Sequence, residues 1–234
     1  VNGLVRTRIK RRTHRLINSR YPTVGVFDDL ARDAADAKAA FALEALTNDR
    51  MTMATERLSR LPDEEIVTGP GATLVMAAFL HADDRGGRFT DARLGGWYAA
   101  LEIETAIAET LYHHRRRLSL SDGGFPARME IRELIVSADN ELVDLRGLMA
   151  KRPELYDPGD YAMSQAFGAR LRWSEDRHKE CGIVFDAVRR AGGTNVCLLW
   201  PSCVALPVVQ GDHFAYHWDA KGEATVARLS KIIS

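Results

Sequence analysis

The stretch from Gly86 to Leu118, GGRFTDARLGGWYAALEIETAIAETLYHHRRRL, constrains this chain more than any other. It strings together an arginine beside a glycine pair (Arg88), a second glycine pair leading into a short aromatic strand (Gly95, Gly96, Trp97, Tyr98), and a helix carrying Glu109 among small and apolar neighbours. A guanidinium binds phosphate or carboxylate as a planar fork. The neighbouring glycines let a ligand approach the backbone. An aromatic ring offers a stacking face, and an acid on a helix can meet a developing positive charge. Together these parts suit a site that holds a dinucleotide and stabilises a cationic sugar.

The helix of this stretch is predicted to start near Glu102. Glu102 and Glu104 complement the positive end of its dipole, and Arg115, Arg116 and Arg117 the negative end. Ile103, Ile107 and Leu111 recur every four residues and face the core, which leaves Glu109 to border a cleft.

The chain has 234 residues, enough to bury a core as one domain. Its 32 basic and 32 acidic residues cancel, so no global field argues for nucleic acid or an anionic membrane as the main partner. Three cysteines, an odd count without C-x-x-C spacing, argue against a disulfide framework or a thiolate metal site. No signal peptide precedes the first element and no apolar run approaches the roughly 18 residues of a membrane span, so the cytoplasm is the expected compartment.

Residues 1–12 carry Arg6, Arg8, Lys10, Arg11 and Arg12 and read as a basic, solvated arm open to disorder. Thr13 to Phe27 reads as an extended piece broken at Pro22, with Arg15 or Arg20 able to reach a phosphate. Ala34 to Thr47 is rich in helix formers, and a second amphipathic piece runs to Leu61. Gly69-Pro70-Gly71 marks a loop, and the apolar run Thr73 to Leu80 is expected as a buried strand. Later strands are expected at Met129–Val136, Glu141–Leu145, Asn195–Trp200 and Cys203–Val209, with helices at Tyr161–Leu171 and Ser174–Ala191. His213 and His217 lie in a strand-like segment without H-E-x-x-H, so no metal is expected. No strand is followed by G-x-G-x-x-G, which removes support for a Rossmann reading.

The pieces GGRF with Arg88, Trp97-Tyr98-Ala99-Ala100, TAIAE with Glu109 and CLLWPSCVAL with Ser202 occur in the order seen in the RES-domain family, which this sequence resembles from about Thr13 to Trp218. Arg15, in THRLINSRYP, matches the arginine near the start of that family's first strand. The resemblance implies residues 13–234 as one RES domain with a helical insertion around 34–61. The implied fold is α/β (α+β) and like the ADP-ribosyltransferases: two small sheets flanked by helices, with NAD in the cleft between them.

The resemblance further implies a toxin of a bacterial toxin–antitoxin pair, encoded beside an Xre-like, DUF2384-containing antitoxin. NAD would be its substrate. Nicotinamide would leave, and ADP-ribose would pass to water, phosphate or a protein. One alternative is a protein mono-ADP-ribosyltransferase directed at a nucleotide-metabolism enzyme such as phosphoribosyl pyrophosphate synthetase; another is a catalytically silent interaction module. No membrane is implied as partner, and nucleic acid only through the antitoxin. In this reading Glu109 stabilises the reacting ribose, while Arg88 and Arg15 clamp the pyrophosphate. Tyr98 stacks on nicotinamide, and Ser202 hydrogen-bonds near the phosphate or ribose.

Overall fold

The computed structural model describes residues 3–21, 26–29, 31–45, 50–174 and 179–230. In chain order these form β1 (Arg6–Asn18), α1 (Val26–Asp29), α2 (Ala34–Ala45), α3 (Arg50–Ser59), α4 (Ala72–Leu80), β2 (Trp97–Ala100), α5 (Ile103–Ser119), β3 (Ala127–Asp144), α6 (Ala162–Arg172), β4 (Gly182–Asp186), β5 (Thr194–Leu198), β6 (Val209–Trp218) and β7 (Ala224–Leu229). The fold is mixed α/β.

The strands run β1-β2-β5-β4-β3-β6-β7, and a further β1–β3 pairing closes the first five into a ring. β1 and β3 pair antiparallel along their length, from Arg6↔Val143 to Asn18↔Ile131. β1 meets β2 at the single pair His14↔Ala100, and β3 meets β4 only at Val143↔Ile183 and Asp144↔Val184. All seven strands thus belong to one sheet, in two parts, β1-β3-β6-β7 and β2-β5-β4, joined at two short contacts. A contact one residue long lets the strands separate on either side of it, which opens a cleft between the two parts.

The main core fills the ring and extends under α2, α3 and α4. A second cluster lies beneath α5, where Ile103, Ile107 and Leu111 pack on Leu16, Ala100, Ile131 and Tyr216. The apolar stripe read from the sequence therefore docks α5 across the junction of the two parts of the sheet, as its four-residue spacing requires.

Several expectations are corrected. Arg6 to Arg12 are not a loose arm but the first half of β1, because β3 supplies a backbone partner for each. Thr73–Leu80 is helix, not strand. Its fully buried positions Ala72, Val75, Met76, Phe79 and Leu80 follow helical spacing, hidden in the sequence by apolar residues between them. The expected helix over Ser174–Ala191 holds instead β4, whose GIVF is buried on both faces as a central strand demands; residues 175–178 lie outside the described residues.

Cys203–Val209 is irregular after a 3-10 turn at Pro201–Cys203, and Pro207 has no N–H to give a ladder. The two strands expected between Met129 and Leu145 are one, since the β1 ladder runs straight through the polar Ser137–Asn140. The helical reading of 34–61 corresponds to α2 and α3, with 46–49 outside the described residues.

Cys181 and Cys203 form a disulfide, and Cys197 is free and buried. Counting cysteines could not reveal this pairing. Gly182 is opposite Leu198 in the β4–β5 ladder and the Leu199 N–H donates to the Cys181 carbonyl at 2.8 Å, and the 3-10 turn Pro201–Cys203 that follows carries Cys203 to Cys181. The expectation that three cysteines argue against a disulfide is thereby corrected. Among the described residues, no helix is long and apolar enough to cross a membrane.

Candidate active site

A cleft of about 710 Å³ opens where β1 and β2 part, roofed by α5 and by the loops at 83–88 and 159–162. Arg15, Arg88, Tyr98 and Glu109 all line it. Ser202 does not. It is exposed on the 3-10 turn after β5, where its Oγ accepts from Lys179 Nζ at 2.6 Å and its N–H donates to Glu65 at 3.2 Å.

Arg88 is only 8% exposed. Its Nη1 donates to the carbonyls of Leu155 (3.1 Å) and Asp157 (2.9 Å), and the guanidinium lies 4.7 Å from the Tyr161 ring centre. Burial lowers its pKa, and the negative charge of Glu109 partly offsets that effect. Arg15 Nη1 donates to the Tyr98 carbonyl at 3.0 Å with the guanidinium 5.0 Å over Trp97, and burial pulls its pKa down to about 10. Both guanidiniums are thus oriented by carbonyls and aromatic faces, which leaves much of their charge for an anionic ligand.

The loop bearing Arg88 is fixed from several sides. The Tyr98 hydroxyl accepts the Phe89 N–H at 2.9 Å and lies 3.1 Å from Thr90 Oγ1. From α6, Gln165 Nε2 donates to the Arg85 and Gly87 carbonyls at 2.7 and 3.1 Å. Two buried guanidiniums hold the rest: Arg57 donates to Leu80 at the end of α4 at 2.8 Å and to Ala92 at 3.2 Å, and Arg172 to Leu94 and Gly95 at 2.7 and 2.6 Å. Each satisfies loop carbonyls that would otherwise be buried without donors. Burial raises the Tyr98 pKa well above its usual range, so the phenol stays neutral.

Glu109 is half-buried on α5, and its Oε1 accepts from Asn195 Nδ2 of β5 at 2.8 Å. The start of α5 is tied to the same strand, because Glu102 Oε2 accepts the Thr194 N–H at 3.1 Å and the Thr105 hydroxyl at 3.0 Å. Asn195 was not singled out in the sequence. The only hint was a polar residue opening the apolar run NVCLLW.

Six arginines and three carboxylates (Asp83, Glu109, Asp160) line the cleft. Asp83 is taken up by Arg117 at 3.1 Å and Arg85 at 3.5 Å. Asp160 accepts the Ala162 N–H at 2.8 Å at the start of α6, so the cleft is a positive enclosure in which Glu109 is the carboxylate held by a side-chain amide. Such a site binds a polyanion and places a negative group against whatever cation it presents. His213 and His217 lie on β6 opposite Leu229 and Thr225, and among the described residues no group of three or more His, Cys, Asp or Glu is placed to hold a metal ion.

A RES domain model matches residues 62–219, well over half of the chain. The chain belongs to the RES-domain family. The matched span includes Arg88, Tyr98, Glu109 and Asn195 but leaves out β1 with Arg15, the strand that this RES protein uses to close its ring. No curated protein matches the chain. A solved structure similar to it is the crystal structure of the M. tuberculosis MbcT-MbcA toxin-antitoxin complex. The identity is 12%, the TM-score 0.47, and the match covers 92% of this chain and 87% of that one.

Proposed function

We propose that this RES protein is the toxin of a bacterial toxin–antitoxin pair and that it consumes NAD, cleaving the nicotinamide–ribose bond and passing ADP-ribose to water, phosphate or a protein. The observation that carries the reading is the pairing of Glu109 with Asn195 on the wall of a cleft whose lining includes six arginines. A dinucleotide is an anion at its pyrophosphate and a cation at its nicotinamide end. The cleft offers the complement of both.

In this account Arg88 and Arg15 hold the pyrophosphate, and their fixed orientations set where the ribose lies. Glu109 accepts a ribose hydroxyl and faces the positive charge that develops at C1′ as nicotinamide leaves. It thereby stabilises the transition state more than the bound substrate. The Tyr98 ring supplies a stacking face, while its hydroxyl is engaged in holding the Phe89–Thr90 turn. Ser202, outside the cleft, has no part here.

The family membership supports an Xre-like, DUF2384-containing antitoxin as the partner, covering the cleft. Unimpaired NAD binding by the complex would contradict that arrangement.

The experiment is nicotinamide release from NAD by the purified chain, with and without phosphate. Release in buffer alone identifies a glycohydrolase. Release that requires phosphate identifies a phosphorylase. Release only on adding lysate, with label from NAD appearing on protein, identifies a protein-directed transferase. Absence of all three would overturn the proposal in favour of a silent interaction module.

A further inference from the structure

Asn195 occupies the second position of β5, between Ala100 of β2 and Phe185 of β4, and is paired in register with both. It is 7% exposed and is followed by Val196, Cys197 and Leu198, each 2% exposed or less. A buried amide in such a strand carries a desolvation cost that hydrogen bonding must offset. Its side-chain N–H donates to Glu109 Oε1 at 2.8 Å.

Docking of α5 does not depend on that bond. Glu102 secures the start of the helix to Thr194, the Thr110 hydroxyl lies 2.9 Å from the Tyr216 hydroxyl, and the apolar stripe does the rest. The amide thus acts on the carboxylate rather than on the helix.

Resting on the NAD-consuming reading above, we infer that Asn195 is a positioning residue for the transfer step. Its neutral N–H occupies Oε1, fixes the Glu109 rotamer and leaves Oε2 as the oxygen that meets the ribose. An ammonium or guanidinium in the same place would orient the carboxylate but cancel the charge the chemistry uses. An aspartate there would set a second carboxylate against the first. Two carboxyl groups at that separation share a proton, and the pair loses its second proton only at higher pH.

Among the described residues, Arg88 from the 81–96 loop interacts electrostatically with Glu109; Arg15 from β1, Tyr98 from β2, Asp160 from the loop before α6 and His113 on α5 line the same cleft, and Arg189 from the turn after β4 lies by Arg88 and His113.

The test compares the parent with N195D and N195A in two measurements. In the first, the pH dependence of nicotinamide release is recorded. N195D should move the acid limb of the profile to higher pH by about one unit or more, and N195A should lower kcat by roughly tenfold or more with the KM for NAD nearly unchanged. A merely structural role would instead show in N195A as lower thermal stability with kcat near that of the parent. In the second, the Glu109 carboxyl is followed by carbon-13 NMR, its signal assigned by its loss in E109Q, so the result does not depend on turnover. Its titration midpoint should rise in N195D. Coincident titrations in parent and N195D would overturn the inference. Absence of release by the parent would instead overturn the proposed reaction and leave the NMR result to decide whether Asn195 governs Glu109.

Discussion

The Tyr98 hydroxyl accepts the Phe89 N–H at 2.9 Å, so the ring that lines the cleft also pins the loop carrying Arg88. Y98F would keep the stacking face and leave that N–H without its acceptor. Losing such a partner costs about 1–3 kcal/mol. The expected outcome is a lower melting temperature and, because Arg88 is less well held, a rise in the KM for NAD larger than the fall in kcat. A variant that changed kcat alone would show that the hydroxyl takes part in the chemistry.

Gly87 packs against the same ring. A Cβ there would come 2.7 Å from the Tyr98 Oη and 2.9 Å from two ring carbons. G87A should therefore displace Tyr98 and cost activity well beyond its cost in stability. Activity and thermal unfolding of G87A and G87A/Y98F separate the two. If the clash is the cause, the double variant loses less than the two single losses combined.

His114, half-buried on α5, stacks edge-on to Tyr216 and Trp218 with centroids 6.4 Å away. Burial, reinforced by the positive charges of Arg117 and Arg20, pulls its pKa from 6.5 down to about 4. The unfolded chain then binds the proton more readily than the folded one. Stability from this group is present above pH 6.5 and lost as pH falls toward 4. Thermal scans across that window should show H114F losing less stability than the parent; equal losses would contradict the assignment.

The Cys181–Cys203 disulfide closes a loop with a sequence separation of 22, worth on the order of 3 kcal/mol by the chain-entropy account. Reductant should lower the melting temperature of the parent and leave that of C181S/C203S unchanged. Because the bridge lies at the ends of β4 and β5 and Asn195 lies toward the other end of β5, turnover below the transition should persist in the reduced protein.

Much of the cleft was legible because its residues are neighbours in sequence. Arg88, Tyr98 and Glu109 fall within one loop–strand–helix unit, whose glycine pairs and four-residue apolar repeat announce the local structure. Asn195 was not legible, because its meaning lies in a partner 86 residues away. Ser202 misled for the converse reason: a serine after a strand looks available for a ligand, yet its turn points to Lys179 and Glu65. The helix α4 hid its period behind uniformly apolar neighbours, and the disulfide and the strand role of Arg6–Arg12 depend on pairings made only in the folded chain.

The most direct test is the rate of nicotinamide release from NAD by the parent and by E109Q. Glutamine keeps an oxygen for Asn195 and nearly the same volume, so it removes the charge and little else. Release by the folded parent and a fall of about a hundredfold or more in kcat for E109Q are expected. Equal rates in the two folded proteins, or no release by the parent in buffer, phosphate or lysate, would contradict the proposed function.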